Sequence, residues 1–237
     1  MSLGYSGRRT RRNPPISSAT PRPILVTAAH VYRQYVDDWG RRGPLLCQIA
    51  NTVVRDLRIH LIACGNLGIR PNQRESEPDI ATFRLPAGAA DRIGKKAVMA
   101  PRDSWPPPPK VGEQVMFAGF PGQERIFLNQ GKMSFGFHSG MSAATSITEH
   151  QITLRLEREF MLDHHGDGLP PKGYGLGGIS GGPLLVPLYQ NNAWAWRLAG
   201  VISQATEERR PEDVIFESVV AHRAEYIQPD GTLAKSL

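Results

Sequence analysis

The sequence has 237 residues, of which 40% are hydrophobic and 21% charged, a composition typical of soluble globular proteins. No apolar run approaches the roughly 20 residues that a membrane-spanning helix needs, and no segment resembling a signal peptide follows the basic N-terminus. Two cysteines, Cys47 and Cys64, are too few for the disulfide framework of a small secreted domain. We therefore expect a cytoplasmic protein with free thiols and no membrane partner.

The positive charge of the chain is concentrated at its N-terminal end. The net charge is +6, but residues 1–23 contain five arginines and no acidic residue. Removing these five from the 28 Lys and Arg leaves 23 basic against 22 acidic side chains. The segment predicts a solvated, disordered arm. Clustered arginines can also contact nucleic acid through counterion release, but the nearly neutral remainder predicts no specific nucleic-acid partner.

The 24 glycines and 20 prolines favour many short strands joined by turns, so the predicted fold class is all-β. In chain order, the predicted strands of a first domain, residues 24–100, are Ile24–Val26, Leu45–Val54, Leu57–Ala63 and Asp79–Leu85. Four consecutive prolines then predict a stiff connector over residues 101–111. A second domain, residues 112–217, is predicted to contain strands at Val115–Gly119, Arg125–Asn129, His150–Leu156, Pro183–Leu188, Trp194–Ser203 and Val214–Phe216. Residues 218–237 are predicted to form a short helix from Ser218 to Gln228, followed by a tail.

A glycine-rich segment, GYGLGGISGGPLLV at residues 173–186, admits two interpretations. Gly173, Gly175 and Gly178 match the dinucleotide-binding pattern G-x-G-x-x-G. That pattern needs a preceding strand, a following helix and an acidic residue about 20 positions later. Here a loop-like DHHGDGLPPK precedes the glycines, a proline and a strand-like run follow them, and Leu198 lies 20 residues beyond Gly178. The dinucleotide interpretation therefore fails, and we expect no cofactor.

The second interpretation is an oxyanion-binding turn with Ser180 as a nucleophile. Backbone amides of Gly178 and Ser180 would converge on a developing negative charge, because the glycines leave the backbone bare. A serine nucleophile needs a base and an orienting acid. The candidate base is His30, which ends the apolar run ILVTAAH, and the candidate acid is Asp79, which opens PDIATF. Asp56 is a rival acid, but its neighbours RDLRIH resemble a strand on which it faces solvent.

The segments TAAH, PDIATF and GISGGP resemble, in this order, the three signature segments of chymotrypsin-like (trypsin-fold) serine peptidases. KVGEQVMFAGFPG, residues 110–122, resembles the first strand of that family's second barrel, and RLAGVISQA resembles the strand beside its substrate cleft. The resemblance covers roughly residues 24–228. It implies two antiparallel six-stranded β-barrels, with the N-terminal barrel carrying His30 and Asp79 and the C-terminal barrel carrying Ser180.

The resemblance also implies roles for individual residues in hydrolysing the peptide bonds of a polypeptide substrate. His30 would act as general base and then acid, Asp79 would hold the imidazole, and Gly178 and Ser180 would form the oxyanion hole. The residue near the base of the primary specificity pocket would be Tyr174, which is not acidic, so no preference for Arg or Lys is expected. Further substrate contacts would come from a backbone edge formed by Ser203, Gln204 and Ala205.

Two features of the sequence bear on whether the expected catalytic site is assembled. Ile179 stands where zymogen relatives carry an aspartate, so the site would be permanently assembled, as in many bacterial-type members, or never assembled. Only 23 residues precede Ile24, so either the N-terminal barrel is incomplete at its start or the sequence starts downstream of its natural beginning. The alternative function is therefore an inactive protein of the same fold that acts as a binding module. The segment with His164, His165 and Asp167 could suggest a metal site. Adjacent histidines in a loop are seldom both ligands, however, and no further ligand appears at regular spacing, so a solvated loop is expected there.

Overall fold

The structure is a computed structural model and describes residues 22–43, 47–49, 52–54, 56–65, 78–95, 108–128, 133–157, 169, 174–190, 192–209 and 215–235. The arm up to residue 21, most of the proline-rich connector and the segment with His164, His165 and Asp167 lie outside the described residues. No described helix is long and apolar enough to cross a bilayer.

The N-terminal half contains a small antiparallel sheet and one substantial helix. Its elements are β1 (Ile24–Thr27), α1 (Ala29–Arg42), β2 (Cys47–Ile49), β3 (Thr52–Val54), β4 (Leu61–Cys64), β5 (Ala81–Arg84) and α2 (Ala89–Arg92). The sheet has the strand order β1-β5-β4, and among the described strands β2 pairs only with β3. A closed N-terminal barrel is therefore not seen in the described part of the chain, which leaves that expectation unconfirmed.

The helix α1 was not predicted, although the chain carries its signal. Tyr32, Tyr35 and Trp39 recur at spacings of three and four, which places them on one helical face. The Tyr32 ring meets the buried Phe83 of β5 edge-on, with 5.1 Å between centroids. The helix ends where the Gly43 amide donates to the Trp39 carbonyl, and Gly43 has the positive φ of 81° that favours glycine at a C-terminus.

The C-terminal half forms a closed six-stranded barrel, as predicted for the second domain. The described strands of this half are β6 (Gln114–Gly119), β7 (Arg125–Phe127), β8 (Met133–Phe135), β9 (His138–Ile147), β10 (Gln151–Glu157), β11 (Pro183–Gln190), β12 (Ala193–Arg209) and β13 (Ile215–Arg223). The barrel order is β10-β13-β12-β11-β6-β9, and β7 and β8 form a separate hairpin between β6 and β9. Alternating residues of these strands fill the barrel, with Ile152, Leu154 and Leu184 fully buried. The all-β class is confirmed.

Three predicted elements differ from the structure. The single strand predicted at Leu45–Val54 is instead two short antiparallel strands, β2 and β3. The helix predicted from Ser218 is wrong: Ser218–Arg223 continues β13, and helical conformation is limited to one 3₁₀ turn, Ala224–Tyr226. Since β13 pairs with both β10 and β12, sheet hydrogen bonds on both edges override the helical spacing of its apolar residues. The strand predicted at Leu57–Ala63 begins instead as a 3₁₀ turn, Leu57–His60, because Asp56 caps it by accepting from the Arg58 amide.

Candidate active site

His30 and Asp79 are brought together by the pairing of β1 with β5. Thr27 lies opposite Ala81, so the residues that follow β1 meet those that precede β5. The Asp79 carboxylate accepts the backbone amide of His30 at 2.8 Å and pairs with the ring Nδ1 at 2.6 Å. The Asp79 carbonyl also accepts from the Ala29 amide at 3.2 Å. Asp79 is only 2% exposed, whereas the His30 side chain is 38% exposed, so the pair presents its imidazole outward.

The surroundings of Asp79 keep its carboxyl group ionised. Burial alone would raise the pKa of Asp79, but hydrogen bonds from the ring and amide of His30 outweigh it, and His30 and His222 add favourable charge. The net result is a pKa below the ordinary value for an aspartate. An ionised acceptor at Nδ1 favours the tautomer that carries its proton there, which leaves the lone pair on Nε2. Nε2 is the nitrogen that a base would use.

The rival acid, Asp56, belongs to a different local structure. Its carboxylate accepts from the Arg58 amide at 3.0 Å and from the Arg58 guanidinium at 3.1 Å. The hydrogen bond from Arg58 is the main reason why the pKa of Asp56 is lowered. The structure therefore pairs Asp79, and not Asp56, with His30.

Ser180 lies in the second of two consecutive β-turns, which explain the glycines around it. The first turn runs from Leu176 to Ile179, whose amide donates to the Leu176 carbonyl at 3.2 Å; the second runs from Ile179 to Gly182, at 2.9 Å. The third residues of these turns, Gly178 and Gly181, have φ values of 102° and 86°. A positive φ at that position is the mark of a type II turn and favours glycine.

The amides of Gly178 and Ser180 remain available as donors. The Gly177 carbonyl accepts from the Gly122 amide at 2.7 Å, and the N–H of the same peptide unit, on Gly178, points the opposite way. Among the described residues, neither the Gly178 nor the Ser180 amide donates to a backbone carbonyl. Two free amides beside a serine hydroxyl can receive a negatively charged oxygen.

The second turn packs directly against the strand that leads to His30. A Cβ on Gly181 would lie 2.2 Å from Thr27 Oγ1 and 3.2 Å from the Ala28 nitrogen. On its other side the turn is tied to β12, since the Gly181 amide donates to the Ile202 carbonyl at 2.7 Å. The bare backbone at Gly181 therefore lets the serine turn lie directly against Thr27 and Ala28, in the segment that leads to His30.

The Ser180 hydroxyl donates to the Ser203 carbonyl at 3.1 Å. Ser203 occupies a bulge of β12, where the register with β13 shifts between Ile202 and Gln204. Its own hydroxyl donates to the Val220 carbonyl at 3.2 Å. Pairing of β12 with β11 ends at Val201, whereas pairing with β13 continues through Gln204 and Ala205 to Arg209. The edge expected to contact substrate thus begins beside the serine.

Tyr174 contacts two polar residues that the sequence analysis did not single out. Its hydroxyl donates to Glu124 Oε1 at 2.9 Å, and its ring lies 5.5 Å from that of His138. Burial lowers the pKa of His138, and the Glu124 carboxylate opposes this effect. The Glu124 carboxylate therefore already accepts a hydrogen bond from the Tyr174 hydroxyl. No local sequence signal identifies these residues, because they meet Tyr174 only through the folding of β9 and the turn before β7.

Arg125 is a further residue that sequence analysis missed. A Cβ on Gly178 would lie 3.3 Å from Arg125 Nη2, so the guanidinium borders the glycine that carries a free amide. Its carbon also lies 5.9 Å from the Phe135 ring centre, across the β7–β8 hairpin. A cation thus borders the serine turn on its hairpin side, opposite the free Gly178 amide.

The chain is similar over 86% of its length to solved protease structures. They include mouse neuropsin, a serine protease expressed in the limbic system of the brain, at 16% identity, 80% of that chain covered and a TM-score of 0.44. A Glu endopeptidase in complex with MPD matches at 13% identity, 76% coverage and a TM-score of 0.41. An inactivated protease paralogue of the scabies mite matches at 15% identity, 79% coverage and a TM-score of 0.42. No protein-family model and no curated protein sequence matches the chain.

Proposed function

We propose that the chain is a serine endopeptidase with Ser180 as nucleophile, His30 as general base and Asp79 as the orienting acid. The observation that carries the proposal is the buried Asp79 carboxylate, which holds both the ring and the amide of His30 at 2.6 and 2.8 Å. Such an arrangement orients the imidazole and stabilises the imidazolium that forms during acyl transfer. The contact of Gly181 with Thr27 supports the proximity of Ser180 to this pair.

In the proposed reaction, the Ser180 hydroxyl turns from the Ser203 carbonyl toward Nε2 of His30, which takes its proton. Polar groups of an empty site often form their catalytic hydrogen bonds only with substrate present. Ser180 Oγ then attacks the peptide carbonyl carbon, and the amides of Gly178 and Ser180 bind the resulting oxyanion. His30 passes the proton to the leaving amine, and a water molecule hydrolyses the acyl-enzyme by the same steps in reverse.

We also propose that the acyl half of the substrate pairs with β12 at Ser203, Gln204 and Ala205. Addition of an extended peptide to a strand supplies main-chain hydrogen bonds regardless of side chain. Tyr174 would limit the depth of the primary pocket. Since the nearby Glu124 carboxylate already accepts the Tyr174 hydroxyl, a preference for Arg or Lys is not expected.

The test is labelling by a fluorophosphonate, with the adduct located by mass spectrometry. We expect an adduct on Ser180 in the wild type and none in Ser180→Ala or His30→Ala. Ser146→Ala is the matched control, because Ser146 is an exposed serine on β9 and its loss should leave labelling unchanged. Absence of labelling in folded wild-type protein would overturn the proposal.

One observation favours a second candidate, a non-catalytic binding module of the same fold. The Ser180 hydroxyl is engaged by the Ser203 carbonyl, and the described part of the N-terminal half is a three-stranded sheet that does not close. A site held in this arrangement would bind peptides along β12 without cleaving them. Unlabelled wild-type protein that still binds peptides would favour this candidate.

A further inference from the structure

Arg125 is a cation next to the serine turn, on the side of Gly178 that faces the Gly122–Glu124 turn. It opens the β7–β8 hairpin, and its Nη2 lies 3.3 Å from the position that a Cβ on Gly178 would occupy. The preceding turn, Gly122–Glu124, fixes this proximity, because the Gly122 amide donates to the Gly177 carbonyl at 2.7 Å. The guanidinium therefore lies on the face of the serine turn that meets the hairpin, on the opposite side of Gly178 from its free amide.

The charge of Arg125 is not neutralised within the part of the chain that the structure describes. No described acidic side chain forms an ion pair with it, and the adjacent Glu124 carboxylate accepts the Tyr174 hydroxyl instead. Arg125 is exposed and lies opposite Phe135 in the hairpin, whose ring flanks the guanidinium. The side chain is thus exposed and flanked by the Phe135 ring of the hairpin.

The position of Arg125 determines which half of a substrate it would meet. The serine turn is tied to β12 on one side, through Gly181 and Ile202, and to the Gly122–Glu124 turn on the other. If the acyl half of the substrate lies along β12, as proposed above, then the leaving-group half passes over Gly178 toward the hairpin. Arg125 borders that path.

We propose that Arg125 is a specificity-determining residue that selects substrates with Asp or Glu at the first or second position after the cleaved bond. This inference rests on the proposed endopeptidase function. A guanidinium binds a carboxylate through two parallel hydrogen bonds. A lysine in the substrate has no acceptor, and a side-chain amide has one acceptor oxygen and no negative charge. The same charge repels substrates with Lys or Arg at these positions.

The test is cleavage of a mixed peptide library, with the new ends sequenced by mass spectrometry. For the wild type we expect Asp and Glu just after the cut to be enriched about fivefold over their abundance, the size of a partly exposed ion pair. Arg125→Gln should abolish the enrichment, and Arg125→Glu should shift it to Lys and Arg. The wild-type enrichment should shrink at 1 M salt, because the Debye length is then about 3 Å.

Lys110→Glu is the matched control, since it makes the same change of charge at an exposed site before β6 and should keep the wild-type profile. A structural role for Arg125 would lower total cleavage without reversing the preferred charge. A profile that is the same in the wild type and in Arg125→Glu would overturn the inference. Fluorophosphonate labelling separates the two proposals: labelled protein without acidic preference refutes only this one, whereas folded, unlabelled and non-cleaving protein refutes both.

Discussion

Asp79 receives two hydrogen bonds from one residue, and a single substitution can test what they do. Asp79→Asn keeps the size of the side chain but replaces an acceptor by an amide that can donate, which favours the wrong His30 tautomer. We expect the rates of fluorophosphonate labelling and peptide hydrolysis to fall about 10⁴-fold. Asp56→Asn is the control, because Asp56 pairs with Arg58 and should leave both rates unchanged. Equal losses in the two variants would contradict the assigned role of Asp79.

The lowered pKa of Asp79 also predicts how stability depends on pH. A carboxyl group whose pKa is lower in the folded than in the unfolded protein stabilises the fold above its unfolded pKa, which is about 3.9. That contribution is lost as the pH falls through the folded pKa. The free energy of unfolding of the wild type should therefore decline more steeply below about pH 4 than that of Asp79→Asn.

Urea unfolding at a series of pH values measures this difference. The comparison with Asp79→Asn cancels the contributions of other carboxyl groups, such as Asp56 and Asp230, whose pKa values are also lowered by hydrogen bonds. Parallel curves for the two proteins between pH 5 and pH 3 would mean that the His30 hydrogen bonds do not stabilise the ionised form of Asp79.

At the scale of the elements, the second of the two turns around Ser180 depends on the absence of a side chain at Gly181. Gly181→Ala would place a Cβ 2.2 Å from Thr27 Oγ1 at a residue whose φ is 86°. We expect it to lower the free energy of unfolding by about 2–4 kcal/mol, from the positive φ and the overpacking together. In the same turns, a Cβ on Gly177 meets no atom within 4 Å and its φ is not positive, so Gly177→Ala should change stability by less than about 0.5 kcal/mol.

Denaturant unfolding of the two alanine variants measures this contrast. Labelling should also be lost in Gly181→Ala, because the displaced turn no longer brings Ser180 to the β1–α1 junction. Similar stabilities for the two variants would show that the barrel and the N-terminal sheet do not meet at Gly181 as closely as the structure has them.

The strands of the barrel could be predicted because most of them carry alternating or continuous apolar residues bounded by turns. Ile152, Leu154 and Leu156 alternate along β10, and each faces the core. The same local reasoning failed where partners far along the chain decide the structure. Val219 and Val220 lie at helical spacing with Arg223, yet two neighbouring strands hold them extended. No local sequence pattern shows in advance that this end of β13 is held as a strand by its neighbours.

The residues of the candidate site likewise fall into those that the local sequence identifies and those that it does not. His30, Asp79 and Ser180 were identified because each lies in a short segment whose residue order matches a known arrangement. Glu124, Arg125 and His138 were missed because their neighbours, Tyr174 and Gly178, are 36 or more residues away in the sequence. The residues that carry the proposed chemistry can thus be recognised from short sequence segments. The positions of the surrounding residues depend instead on how the hairpin packs against the serine turn.

At the scale of the whole molecule, the end of the chain joins the two halves. After β13, Tyr226 and Ile227 pack with Ile80 of the N-terminal half and Val201 of the barrel in one buried cluster. Gly231 then lies against the side chains of Ile24 and Ile62, and its carbonyl accepts from the fully buried Thr82 hydroxyl. The small N-terminal sheet therefore gains part of its core from the C-terminal segment, which compensates for its few strands.

Thr82→Val tests this connection, because it keeps the shape of the side chain but leaves the Gly231 carbonyl without its donor. We expect the free energy of unfolding to fall by about 1–3 kcal/mol, the cost of an unsatisfied buried acceptor. Amide hydrogen exchange should also quicken in β1 and β5, where Thr82 pairs with Val26. Thr145→Val is the control: it removes an exposed hydroxyl bonded to the Thr153 carbonyl, and should change stability by less than about 0.5 kcal/mol. Equal effects of the two substitutions would mean that the C-terminal segment does not support the sheet that carries His30 and Asp79.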